Sequence, residues 1–75
     1  MRYYFNIHDG AEIISDEEGC EFASLGAAYA EARASIRDLA SEDIRNGCPT
    51  QKWRVEIATR EGTVLDSVGV QFLEN

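Results

Sequence analysis

Ser24 to Gly47, SLGAAYAEARASIRDLASEDIRNG, constrains the fold more than any other stretch, because it reads as one long amphipathic helix. Leu25, Ala28, Ala32, Ile36 and Leu39 recur at steps of three and four and so share a face. Tyr29, Ala40 and Ile44 widen that face. Glu31, Arg33, Arg37, Asp38, Glu42 and Arg45 fall mainly on the other side. Ser24 offers a hydroxyl to the free N–H groups of the first turn, although Ala27 stands where a capping box would place Glu or Gln. Asn46-Gly47 suits a left-handed cap, and Pro49 blocks continuation. Such a helix is roughly 30 Å long. A seven-residue strand spans about 23 Å. The helix should therefore overhang its sheet near Leu39 to Ile44, an end suited to a subunit contact. Its many alanines predict close approach to what it covers.

Strand patterns flank the helix. In Arg2–His8, Tyr3, Phe5 and Ile7 alternate with Arg2, Tyr4, Asn6 and His8, as in a strand with one buried face. Asp9-Gly10 is a hairpin signal, and Glu12 to Ser15 returns as a shorter strand in which one of Ile13 and Ile14 must face away from the core. Asp16-Glu17-Glu18-Gly19 is a charged turn, followed by a short extended segment with Cys20 and Phe22 expected inside. After a loop at Gly47 to Gln51, Lys52 to Thr59 alternates with Trp53, Val55 and Ile57 inward. Arg60-Glu61-Gly62 turns the chain into a last strand, Thr63 to Leu73. Val68, Val70 and Phe72 share a face there, Gly69 suggests a bulge or a break, and the parity of Val64 and Asp66 points to a bulge between them.

The order ββαββ and the right-handed crossover rule predict an α+β fold in a single domain of residues 1–75. Its sheet is four-stranded and antiparallel, of order 2-1-3-4 with strands numbered as they occur, and the helix lies on one face. The other face would carry Tyr4, Asn6, His8, Arg54 and Glu56, the candidate binding surface.

Composition narrows the function. Fourteen acidic against seven basic residues give a net charge of −7, a field that repels phosphate backbones and anionic lipid. Direct nucleic-acid binding is not expected, and a basic protein partner is easier to accommodate. No run approaches eighteen apolar residues, and the opening MRYYFN is strand-like rather than a secretory signal. A cytoplasmic location is the default expectation, with Cys20 and Cys48 as free thiols. No CxxC occurs, and the lone histidine, His8, is remote from both cysteines, so neither a metal site nor a cofactor is expected. His8 and Asp9 are neighbours on a strand and face opposite sides. No base for either cysteine is evident, and the six glycines are scattered at turns rather than forming a phosphate loop. The chain is not expected to be an enzyme. It is expected to be a protein-interaction module, with a homodimer as one form. A small-ligand or metal sensor through the acidic 16–21 loop is an alternative.

Several of these motifs occur together in one known family. The opening Arg2-Tyr3-Tyr4-Phe5-Asn6-Ile7-His8-Asp9-Gly10, the Asp16-Glu17-Glu18-Gly19 turn, Leu25-x-x-Ala28 with Ala32, and Trp53-x-Val55-x-Ile57 before Glu61-Gly62 resemble a family of short bacterial proteins classed as a domain of unknown function. The resemblance spans nearly the whole chain, with Ser24 where members usually have Asp. It implies a fold and no chemistry. A strand pair, then Gly19-Cys20, then an alanine-rich helix is also similar to the antitoxin of the HicAB toxin–antitoxin pair. That antitoxin has a partial RNase H-like fold and neutralises a basic RNA-cleaving toxin by binding it. The likeness implies a basic partner, without the antitoxin's usual C-terminal DNA-binding segment.

Overall fold

The alternation in Arg2–His8 forms β1 (Arg2–His8), with Tyr3, Phe5 and Ile7 on the core side. The computed structural model describes residues 1–47 and 52–70. The expectations for Cys48, Pro49, Phe72 and Leu73 lie outside the described residues. Asp9 ends β1. Its carboxylate accepts N–H bonds from Ala11 at 3.0 Å and Glu12 at 2.8 Å. A side chain thus closes a wider loop than Asp9-Gly10 suggests, and β2 is confined to Ile13–Ile14. Neither isoleucine is buried.

β3 (Cys20–Glu21) runs back along the other end of β1, with Cys20 opposite Tyr3 and Glu21 opposite Arg2. Phe22 N–H donates to the Met1 carbonyl at 3.1 Å. β4 (Arg54–Ala58) lies on the opposite side of β1, with Ile57 across from Phe5 and Val55 across from Ile7. β5 (Val64–Gly69) pairs antiparallel with β4. The register slips between Ile57 and Ala58, which leaves Leu65 as an extra residue between Val64 and Asp66, where the bulge was expected. Among the described residues the sheet is therefore antiparallel and five-stranded, along the path β2-β1-β4-β5 with β3 off that path against β1. This corrects the expected four-stranded sheet. The extended segment after Gly19 lies close enough to β1 to pair, so β2 and β3 form one interrupted edge.

α1 (Leu25–Asn46) crosses one face. The Ser24 Oγ accepts the Ala27 N–H at 3.1 Å, and Gly47, at φ 73°, closes the helix with its N–H on the Ile44 carbonyl. α1 packs on β4 and β5. Ala28, Ala32, Ile36 and Ala40 are buried, while Leu25, Tyr29 and Leu39 are half-buried. Twenty-two residues make a helix of roughly 33 Å. Its last turns run past the strands, and Ile44 is 68% exposed rather than part of the covered face.

Tyr3 of β1 is buried in one cluster with the α1 alanines, and Phe5 and Ile7 pack against it. The Phe22 ring adds cover over β1, 5.7 Å from the Phe5 ring centre and 6.2 Å from Tyr3. Cys20 is exposed rather than buried, because its edge strand lies beyond the helix. Trp53 is half-buried against the core, with its Nε1 donating to an Asp43 carboxylate oxygen. One cross-strand row shows where cover ends. Ile14, Ile7, Val55 and Val68 are successive register partners. Val55 and Val68 are fully buried, Ile7 is half-buried, and Ile14 is 55% exposed.

Removing a buried aliphatic side chain loses its transfer energy and leaves a cavity. Ile36→Ala should therefore cost about 2–5 kcal/mol in urea unfolding, whereas Ile14→Ala should change stability by less than about 0.5 kcal/mol. Equal losses would mean that the helix covers the sheet as far as β2.

Candidate functional site

The face away from α1 is ordered in cross-strand rows. Ile13, His8, Arg54 and Gly69 form one row, and Asn6, Glu56 and Ser67 the next. Tyr4, Ala58 and Val64 form the third. All five residues expected on this face are there, but they fall into three separate polar groups. Arg54 Nη2 sits 3.3 Å from His8 Nδ1 and 3.4 Å from Glu56 Oε2. His8 Nε2 is 2.8 Å from Glu56 Oε1, yet it lacks a well-formed hydrogen bond because the contact is poorly directed. Arg54 donates to Nδ1 only in the tautomer that keeps the ring proton on Nε2. The group balances its own charges.

Tyr4 and Asn6 serve other partners. The Tyr4 hydroxyl accepts from Arg60 Nε at 3.4 Å. Asn6 Oδ1 accepts the Asp16 N–H at 3.0 Å, so Asn6 holds the acidic loop rather than facing solvent freely.

That loop is built around Asp16. One carboxylate oxygen accepts the Phe5 N–H at 3.1 Å, and the other accepts N–H from Gly19 at 3.0 Å and Glu18 at 3.2 Å. A side chain thus supplies the rung of the β1 edge that the break between β2 and β3 leaves open. Gly19, at φ 71°, is pressed so closely against β1 that an added Cβ would lie 2.8 Å from the Tyr4 ring and 3.0 Å from the Tyr3 carbonyl. No alternation flagged Asp16; the legible signals were an acidic turn and a glycine.

The concavities are open to solvent. One of about 500 Å³ lies at the His8–Arg54 end, with Ile13, Lys52, Trp53 and Gly69 in its wall. Another of about 310 Å³ lies between Tyr4, Asn6, Asp16 and Arg60. Among the described residues no three His, Cys, Asp or Glu side chains are grouped to hold a metal ion. Also among them, no helix is long and apolar enough to cross a membrane.

Partial burial pushes the Asp16 carboxyl up, but the N–H groups of Gly19, Phe5 and Glu18, with the Arg2 charge, pull it further down. Its pKa therefore lies below the ordinary carboxylate value. A lowered folded-state pKa gives stability that is present above the unfolded value and lost as pH falls through the folded one. Urea unfolding should show stability declining from about pH 4 downward, with a shallower decline in Asp16→Asn. Asp16→Ala should cost about 1–3 kcal/mol near neutrality, because the Phe5 N–H loses its partner. An unchanged acid profile in Asp16→Asn would remove Asp16 from that role.

Known proteins supply a family and no activity. No curated protein and no solved structure matches the chain. A family model described as Domain of unknown function (DUF6894) matches residues 2–71. The chain, whose sequence ends at residue 75, therefore belongs to the DUF6894 family across nearly its whole length.

Proposed function

We propose that this chain is a non-catalytic protein-interaction module. It would meet its partner through the uncovered side of its sheet, where Tyr4, Asn6, His8, Arg54 and Glu56 lie beside the β2 edge. The observation that carries this reading is the pair Ile13 and Ile14, adjacent and 60% and 55% exposed on a sheet edge. Exposed apolar side chains at an edge favour association, and proteins without a partner for them usually remove them. The polar residues of the open face suit a rim, because their charges are already balanced by neighbours.

Catalysis has less support. His8 and Glu56 lie on a sheet face without an enclosed cleft, and His8 is tied to Arg54. A sensor built on the 16–21 loop also has less support, since both Asp16 oxygens already accept backbone N–H groups. Two partner types suit the module. A homodimer would hide apolar area that a chain this short cannot bury alone, but it joins two chains of net charge −7. A basic protein, as in an antitoxin-like pairing, meets that charge with its opposite.

Capture of the tagged protein with lysate of its source, at moderate salt, should recover one basic protein near equal stoichiometry that higher salt releases. Recovery of the bait alone, with light scattering showing a monomer, would contradict the module reading.

A further inference from the structure

β2 pairs with β1 on one side, and among the described residues no strand lies along its other side. Register fixes where its side chains point. Ile13 is the partner of His8 and faces the open side, whereas Ile14 is the partner of Ile7 and faces the helix side. Both flanks of one edge therefore carry an exposed aliphatic group. A helix or a flat surface laid on either face would cover one of them. A strand added alongside presents side chains to both faces and covers both.

The surroundings of the pair set the partner's charge. Residues 9–18, DGAEIISDEE, hold five acidic side chains and no basic one. Glu12, Glu17 and Glu18 are exposed. Asp9 stays ionised because the N–H groups of Glu12 and then Ala11 draw its carboxyl down. The cations around this edge are already beside carboxylates: Lys52 is 3.8 Å from Asp43, Arg54 is 3.4 Å from Glu56, and Arg2, which donates to the Glu18 carbonyl at 2.8 Å, is 3.8 Å from Glu21. A second copy of the chain would bring a like-charged edge to this one, which is unfavourable.

We infer that the outer edge of β2 accepts an extended segment of another protein, rich in lysine or arginine and interleaved with aliphatic residues, as an added strand. Its aliphatic side chains cover Ile13 and Ile14, and its cations meet Glu12, Glu17 and Glu18. The inference rests on the interaction-module reading and specifies that module's partner and manner of contact.

The test is a titration of isotope-labelled protein, monitored by amide shifts, with three short blocked peptides: alternating lysine-valine, alternating lysine-serine and alternating glutamate-valine. The lysine-valine peptide should move the amides of Ile13 and Ile14 first. It should bind about tenfold more weakly when salt is raised, and at least about tenfold more tightly than the lysine-serine peptide. The glutamate-valine peptide should not bind. The double variant Ile13→Asp, Ile14→Asp changes exposed residues, so it should keep its fold and lose the lysine-valine response. Equal response to lysine-serine, shifts centred on Val64 and Leu65, or no response to lysine-valine would overturn the inference. So would a dimer in light scattering that the double variant dissolves. If the peptides fail while a stoichiometric partner is still captured from lysate, the β2 assignment falls and the module reading stands.

Discussion

The contact of the alanine face of α1 with β4 and β5 decides how the rest of this molecule is arranged. Ala28, Ala32 and Ala40 present little bulk, Ile36 is the one large side chain among them, and all four are buried. Small side chains let a helix lie close to a sheet, and close packing restores the dispersion contacts that a void would forfeit. The helix is thereby centred toward one side of the sheet. β1, next to β4, has Tyr3 in the core beside the helix alanines and takes further cover from Phe22. β2, one strand further out, has none, and the apolar row that begins at Val68 emerges into solvent at Ile14.

A second feature keeps that outer edge in shape. The chain between β2 and β3 leaves β1 for the Asp16–Gly19 turn, which would orphan the Phe5 N–H. Asp16 closes the gap with one carboxylate oxygen and organises its own turn with the other, while Asn6 holds the Asp16 N–H. Gly19 provides the close approach to β1 that this arrangement demands. The edge is thus hydrogen-bonded on the β1 side, and among the described residues no strand lies along its outer side. The acidic residues act in two ways: Asp9 and Asp16 brace loops, and Glu12, Glu17 and Glu18 give the surface its sign.

Much of this was legible in the residues because it obeys local rules. The helix lies where its Ser24 and Gly47 signals place it, and period two in Arg2–His8 and Lys52–Thr59 sorts the two faces of β1 and β4 correctly. The bulge at Leu65 was readable from the parity of Val64 and Asp66. What was not legible depends on lateral position. Periodicity tells which face of a helix is apolar but not which strands it covers, so Ile44 and Cys20, expected inside, are exposed, and both Ile13 and Ile14 are exposed where one was expected to face away. The rung that Asp16 supplies to the β1 edge was hidden for another reason: a carboxylate stands in for backbone there, and no alternation announces that substitution. The five polar residues of the open face were found together, yet their pairing differs from what a common binding site would need. Asn6 serves the Asp16 loop, Tyr4 meets Arg60, and three residues balance one another.

The off-centre helix and the bare β2 edge are therefore one claim, and the methyl groups can test it directly. A soluble paramagnetic agent added to dilute, methyl-labelled protein broadens methyl signals according to their access to solvent. The structure predicts strong broadening for Ile13 and Ile14, and none for Ile36, Val55, Ile57 and Val68. Protection of Ile14 comparable to that of Val55 in a monomeric sample would contradict the account, because it would mean that the helix or another part of the chain covers β2.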